Sequence, residues 1–150
     1  MLILLSPAKT MTGTSKIKAP QGTTPRFQQE ANEIALHMTQ LRRDFYFVWW
    51  ECWSARTLRG KTPSPTGFKN ISPKDFTEED FLFSQEHMRF VSGCYGLLRP
   101  LDLIKPYRME FDVKIPELGD RNMYTFWKDR QTNILIHDVR QGDGILLNLA

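Results

Sequence analysis

Two short stretches of this 150-residue chain combine the residue types that handle anions. The first, Leu5-Ser6-Pro7-Ala8-Lys9-Thr10, puts two hydroxyls and an ammonium directly after the apolar run Leu2-Ile3-Leu4-Leu5. Ligands of α/β sheets sit beyond the carboxyl ends of the strands, so Ser6, Lys9 and Thr10 are positioned to hold a phosphate. The second begins Ser92-Gly93-Cys94-Tyr95-Gly96-Leu97-Leu98-Arg99-Pro100-Leu101-Asp102 and continues through Lys105-Pro106-Tyr107-Arg108-Met109-Glu110. Two glycines around an aromatic let the backbone approach a partner closely. Arg99, Lys105 and Arg108 then supply cations. A purely structural reading has equal standing, with Arg99 paired to Asp102 and Arg108 to Glu110 as ion pairs.

Other chemistries have less support. His37, His87 and His137 stand apart, and no Cys pair or His-x₃-His spacing suggests a metal, so no metal site and no cofactor are expected. There is no Walker loop, no dinucleotide fingerprint and no Gly-x-Ser-x-Gly elbow. A Cys–His nucleophile pair stays open, since such residues meet only in space, but Cys94 reads first as a small buried hydrophobe. Neither Cys52 nor Cys94 has a sequence setting that argues for a redox sensor, and two distant cysteines imply no disulfide framework.

The elements that would position these residues follow from periodicity. Residues 2–5 read as a strand buried on both faces. Loop composition follows to Gly22, and Thr24-Pro25 opens a helix of about 26–43 with Phe27, Ala31, Ile34, Met38 and Leu41 on one stripe. In residues 72–92, Thr77 and Asp80 form a capping box, Phe76 and Phe81 a hydrophobic staple, and three acids occupy the first turn. Phe83, His87 and Phe90 are read as continuing that helix, with His87 on its flank and Gly93 ending it. Tyr124–Ile136 suggests another helix, and Ile145–Leu149 a second buried strand after the turn Gly142-Asp143-Gly144. A buried strand at the end of the chain suggests an incomplete domain. The fold class expected is a mixed α/β single domain, a β-sheet with surrounding helices.

Composition narrows the class. With 41% apolar, 25% charged and 12% aromatic residues, the chain can bury a core and is neither disordered nor fibrous. No run reaches the ~18 apolar residues of a membrane span. The apolar start is short and lacks a basic region before it, unlike a secretory signal, so a cytoplasmic location is expected. The net charge of +3 hides an asymmetry: residues 1–75 carry 11 basic and 5 acidic groups, residues 76–150 carry 9 and 12. A basic half suggests an anionic partner, nucleic acid first, against the plainer reading of a solvated basic loop. Trp49, Trp50 and Trp53 sit beside the cation-rich stretch up to Lys74. That segment reads as a single-strand stacking platform, as core followed by loop, or as sequence foreign to the fold.

The start MLILLSPAKT, the block FTEEDFLFSQEHMRFVSGCYGLLRPLDLIKPYRMEF, the piece YTFWKD and the end LLNLA resemble the YaaA peroxide-stress protein family. The resemblance covers residues 1–40 and about 70–150. It implies a cytoplasmic bacterial protein with a mixed α/β fold, active in resistance to hydrogen peroxide, in limiting intracellular iron and in protecting DNA. It also implies DNA binding through a positively charged cleft. Residue by residue, it carries over Ser6, Lys9, Thr10, Tyr95, Arg99, Lys105, Tyr107, Arg108 and Lys128. From about Arg42 to Phe68 the chain departs from the family pattern, as an insertion or a local reading-frame disturbance would produce. Family members also continue past Asn148-Leu149-Ala150 into a portion absent here.

Three functional readings result. In the first, Lys9, Arg99, Lys105, Arg108 and Lys128 contact phosphates of duplex DNA with weak sequence preference, Tyr95 or Tyr107 packs on sugar or base, and Ser6 and Thr10 assist in anion binding. In the second, the chain is an enzyme acting on a phosphorylated or nucleotide-like small molecule. Tyr107, Arg108 and Glu110 would then be donor, clamp and base; a narrow pocket joining Lys9, Tyr107 and Glu110 would favour it over a broad groove. The third is a shortened relic with neither activity. The balance leans away from an enzyme.

Overall fold

The computed structural model describes residues 1–6, 19–41, 73–105, 107 and 109–150. Its centre is β1 (Leu2–Leu5), the apolar run at the start of the chain. Helix α1 (Gln28–Leu41) follows; Ala31, Ile34 and Met38 of the expected stripe are buried on it, with Phe27 just before it and Ala35 beside them, while the Leu41 side chain lies outside the described residues. Helix α2 (Glu78–His87) starts at Thr77, whose hydroxyl accepts from the Asp80 amide at 3.2 Å. The Asp80 carboxylate accepts from the Thr77 amide at 2.8 Å, so the capping box closes in both directions. That bond, with one from the Thr77 hydroxyl, holds the Asp80 carboxyl below its ordinary range. Phe76 and Phe81 meet edge to face with ring centres 5.3 Å apart, which is the expected staple.

Helix α2 does not run on to Gly93. It stops at His87, and Met88–Ser92 is strand β2, joined to the helix without a loop. The physical reason is long-range pairing: Met88, Arg89 and Phe90 lie in parallel register with Ile3, Leu4 and Leu5. A partner strand overrides the helical spacing of Phe83, His87 and Phe90. His87 does lie on the helix flank, its ring 4.3 Å from that of Phe83 and its Nδ1 2.9 Å from the Met1 carbonyl oxygen.

Strand β3 (Gly96–Leu98) turns back antiparallel on β2, and two short strands, β4 (Lys114–Ile115) and β5 (Arg121–Asn122), form a separate ribbon. Helix α3 (Met123–Gln141) is capped by Asn122, whose side-chain oxygen accepts from the Thr125 amide at 2.9 Å. Strand β6 (Leu146–Leu149) then pairs in parallel with β1, giving the sheet order β3-β2-β1-β6. The architecture is therefore mixed α/β, as expected. One expectation fails: β6 is a strand but is exposed along its whole length, and among the described residues nothing pairs beyond it. No helix among the described residues is long and apolar enough to cross a membrane.

The main core joins α1, α3, the ribbon and the sheet through Ile34, Met38, Trp127, Ile115, Leu4 and Phe90. A polar junction locks the other end of β2. Arg89, on β2, donates from Nε to Asp138 of α3 at 3.0 Å, and its Nη1 reaches the carbonyls of Gln85 and Glu86 in the last turn of α2. Arg26 completes the set, 3.3 Å from Asp138. One guanidinium thus satisfies helix-end acceptors that would otherwise be unpaired.

Burial alone would push the Asp138 carboxyl up, but hydrogen bonds and charge from Arg89 and Arg26 outweigh it and hold it below the usual carboxylate range. Such a group stabilises the fold fully above its unfolded value, and the contribution fades as pH falls through the folded value. Removing it by Asp138→Ala strands Arg89, which is nearly buried, and should cost about 3 kcal/mol in urea unfolding. The gap between variant and parent should shrink as pH is lowered below about 4.

Candidate functional site

Strands β1, β2 and β6 are parallel, so their carboxyl ends open on one side. The chain passes from β1 to β2 on one flank and later returns to β6 on the other. That strand order is the topology beyond which α/β sheets hold their ligands. Ser6 is exposed immediately past β1, one step beyond the Leu5–Phe90 pair. Beside it β2 ends in Ser92, and the turn Gly93–Tyr95 begins.

This turn is built inward. The Ser92 hydroxyl accepts from the Tyr95 amide at 2.9 Å and shares a hydrogen bond with the Tyr107 hydroxyl. The Tyr95 hydroxyl accepts from the Lys105 amide at 3.1 Å, and the two tyrosine rings lie 5.7 Å apart. Trp127 of α3 donates from its indole to the Gly93 carbonyl at 2.6 Å. The glycines serve this packing. A side chain at Gly93 would press on the Met109 carbonyl at 3.3 Å, and one at Gly96, where φ is +72°, would meet the Trp127 ring at 2.7 Å. The close approach they permit is to the chain's own backbone and indole, which the glycine spacing alone did not distinguish from approach to a partner.

The structure brings Ser92, Tyr95, Tyr107 and the Lys105 backbone together, and leaves other candidates elsewhere. Tyr95 is buried, with its ring in the core. Arg99 lies in a separate latch: its guanidinium is 3.0 Å from the Asp102 carboxylate, and its amide donates to the same group at 2.9 Å. Thr23 donates to Asp102 at 2.6 Å, while Gln85 donates to the Thr23 hydroxyl and accepts from the Leu101 amide. Asp102 is therefore a junction for residues 23, 99 and, through Gln85, helix α2. The ion-pair reading of Arg99 describes this geometry. Lys105 and Lys128 present exposed side chains, Lys128 on α3 next to the Trp127 that closes the turn. Lys9, Thr10 and Arg108 lie outside the described residues, as do Cys52, the tryptophan cluster and the cation-rich stretch up to residue 72.

Burial sets the protonation of the strand-end cluster. Desolvation drives the Cys94 thiol and the Tyr107 phenol far up. It pushes Tyr95 up to about 12, with the neighbouring Cys94 adding to the shift. All three are neutral at physiological pH, so they offer hydrogen-bonding groups and neither a thiolate nor a phenolate. Among the described residues, no group of His, Cys, Asp and Glu side chains could hold a metal ion.

Comparison with known proteins places these features in a family. A family model described as peroxide stress protein YaaA matches residues 66–150, the stretch containing β2, the turn, Asp102 and α3. Relatives include a UPF0246 protein of Parabacteroides distasonis, 74% identical across the whole of this chain. UPF0246 proteins of Bacteroides thetaiotaomicron and Bacteroides fragilis (strain ATCC 25285) are 45% and 44% identical, again across the whole chain. The chain spans 65–66% of the length of these curated relatives. The alignment with the P. distasonis protein runs over 168 positions, more than the chain's 150 residues, so that relative also has internal residues with no counterpart here.

The buried, protonated state of Cys94 has a direct consequence. Iodoacetamide at pH 8 should leave Cys94 essentially unmodified in the folded chain and label it fully in guanidinium, as read by peptide mass mapping. Rapid labelling of the native chain would show that the Gly93–Gly96 turn opens.

Proposed function

Because this chain belongs to the peroxide stress protein YaaA family, we propose that it acts in the response to hydrogen peroxide by binding duplex DNA through the phosphate backbone, with little sequence preference. The observation that carries binding over catalysis is the neutral, internally bonded cluster at the strand ends. Cys94 and Tyr95 are held protonated by burial, and the Tyr107 hydroxyl is already engaged by Ser92. An enzyme acting there on a phosphorylated small molecule would need Tyr107 free to donate to substrate. Lys105, whose amide donates to Tyr95, has an exposed side chain, as has Lys128, next in sequence to the Trp127 that donates to Gly93, and Ser6 is exposed at the end of β1. Lys9, Thr10 and Arg108 join this reading by their place in the same two sequence motifs. Backbone contacts of this kind draw their affinity from counterion release and are strongly salt-dependent.

Fluorescence anisotropy with a labelled duplex tests this, using both this chain and the P. distasonis relative at several salt concentrations. Lys105→Ala and Lys128→Ala should each weaken binding several-fold and lower the slope of log affinity against log salt by about 0.9. Arg99→Ala should instead lower the melting temperature, by loosening Asp102, and leave the salt slope of the folded fraction unchanged. Absence of binding at low salt, or lysine variants with an unaltered slope, would overturn the reading.

A further inference from the structure

Exposed apolar side chains concentrate on β6. Ile145, Leu146, Leu147 and Leu149 are 55%, 39%, 41% and 56% exposed, although the strand is paired along its length with β1. The register sets Leu146 beside Leu2, and Leu147 and Leu149 beside Ile3 and Leu5, so leucines stand on both faces of the strand. Leucine on both faces belongs to strands in the interior of parallel sheets. Natural free edges are protected by charges, prolines or bulges, and residues 145–149 contain no charged residue and no proline. Among the described residues nothing pairs with the outer edge of β6.

The comparisons indicate what fits there. Relatives that match this chain from end to end carry about a third of their length outside the match. We propose that the outer edge of β6 is a docking site for an extended apolar segment from that unmatched third. The segment would add as a further strand, with its side chains beside Leu147 and Leu149. Main-chain hydrogen bonds would supply affinity and the leucines would supply register. This inference is independent of DNA binding.

Hydrogen exchange tests it on whole chains. In this chain the outward amides among Leu146–Leu149 should exchange quickly, while their equivalents in the complete P. distasonis relative should be at least a hundredfold slower. The unmatched third of that relative, made as a separate labelled polypeptide, should bind this chain and slow the same amides. Leu147→Lys together with Leu149→Lys, both at exposed positions, should abolish that binding without lowering the melting temperature. Fast exchange in the complete relative would overturn the proposal whatever the separate polypeptide does. So would a dimer of this chain in sedimentation that the double lysine variant converts to monomer, because a second copy would then be the occupant.

Discussion

The parallel pairing of β1 with strands on both its sides is the constraint on which the rest of the structure depends. Four residues at the start of the chain hydrogen bond to residues 88–90 on one flank and 146–149 on the other. That arrangement brings three carboxyl ends together and places Ser6 beside the Ser92–Tyr95 turn. It also forces α2 to end abruptly at His87. Arg89 supports the junction by occupying the helix-end carbonyls while reaching across to Asp138. Each of these features follows from where β1 must find its partners.

Local features were legible in the sequence because their physics is local. The Thr77–Asp80 box, the Phe76–Phe81 staple and the α1 stripe each involve residues within a few positions of one another. β2 was misread for the opposite reason: its strand character comes from β1, more than eighty residues away, while its own spacing also suits a helix. The exposure of β6 was likewise invisible, since an apolar run does not show whether anything covers it. The recognition of the family through Ser92–Asp102 depended on wording as much as on physics, and the match over residues 66–150 bears it out.

The candidate site shows the same division. Arg99, Lys105 and Lys128 are alike as cations in the sequence, and burial separates them. Arg99 is held by Asp102, itself almost wholly buried, whereas both lysines keep exposed side chains. The two glycines suggest close approach by a partner, yet what approaches them is the chain's own Met109 and Trp127. Asp102, Thr23 and Gln85 form a junction that no spacing rule would collect, because it joins residues 23, 85 and 102. The excess positive charge of the first half resides largely in residues that the structure does not describe, so the candidate cations with a described setting, Arg99, Lys105 and Lys128, belong to the acidic half.

The order of the strands also sets a timetable. β1 leaves the ribosome well before its partner β6, since Leu2–Leu5 precedes Leu146–Leu149 by most of these 150 residues. At synthesis rates of about 5–20 residues per second, an apolar strand waits on the order of ten seconds for one of its neighbours. Contacts of such sequence separation also close slowly once both strands are present. During that interval Leu2–Leu5 can pair with β2 but not yet with β6. A chaperone that delays collapse of the nascent chain would therefore act on this sheet at its first strand.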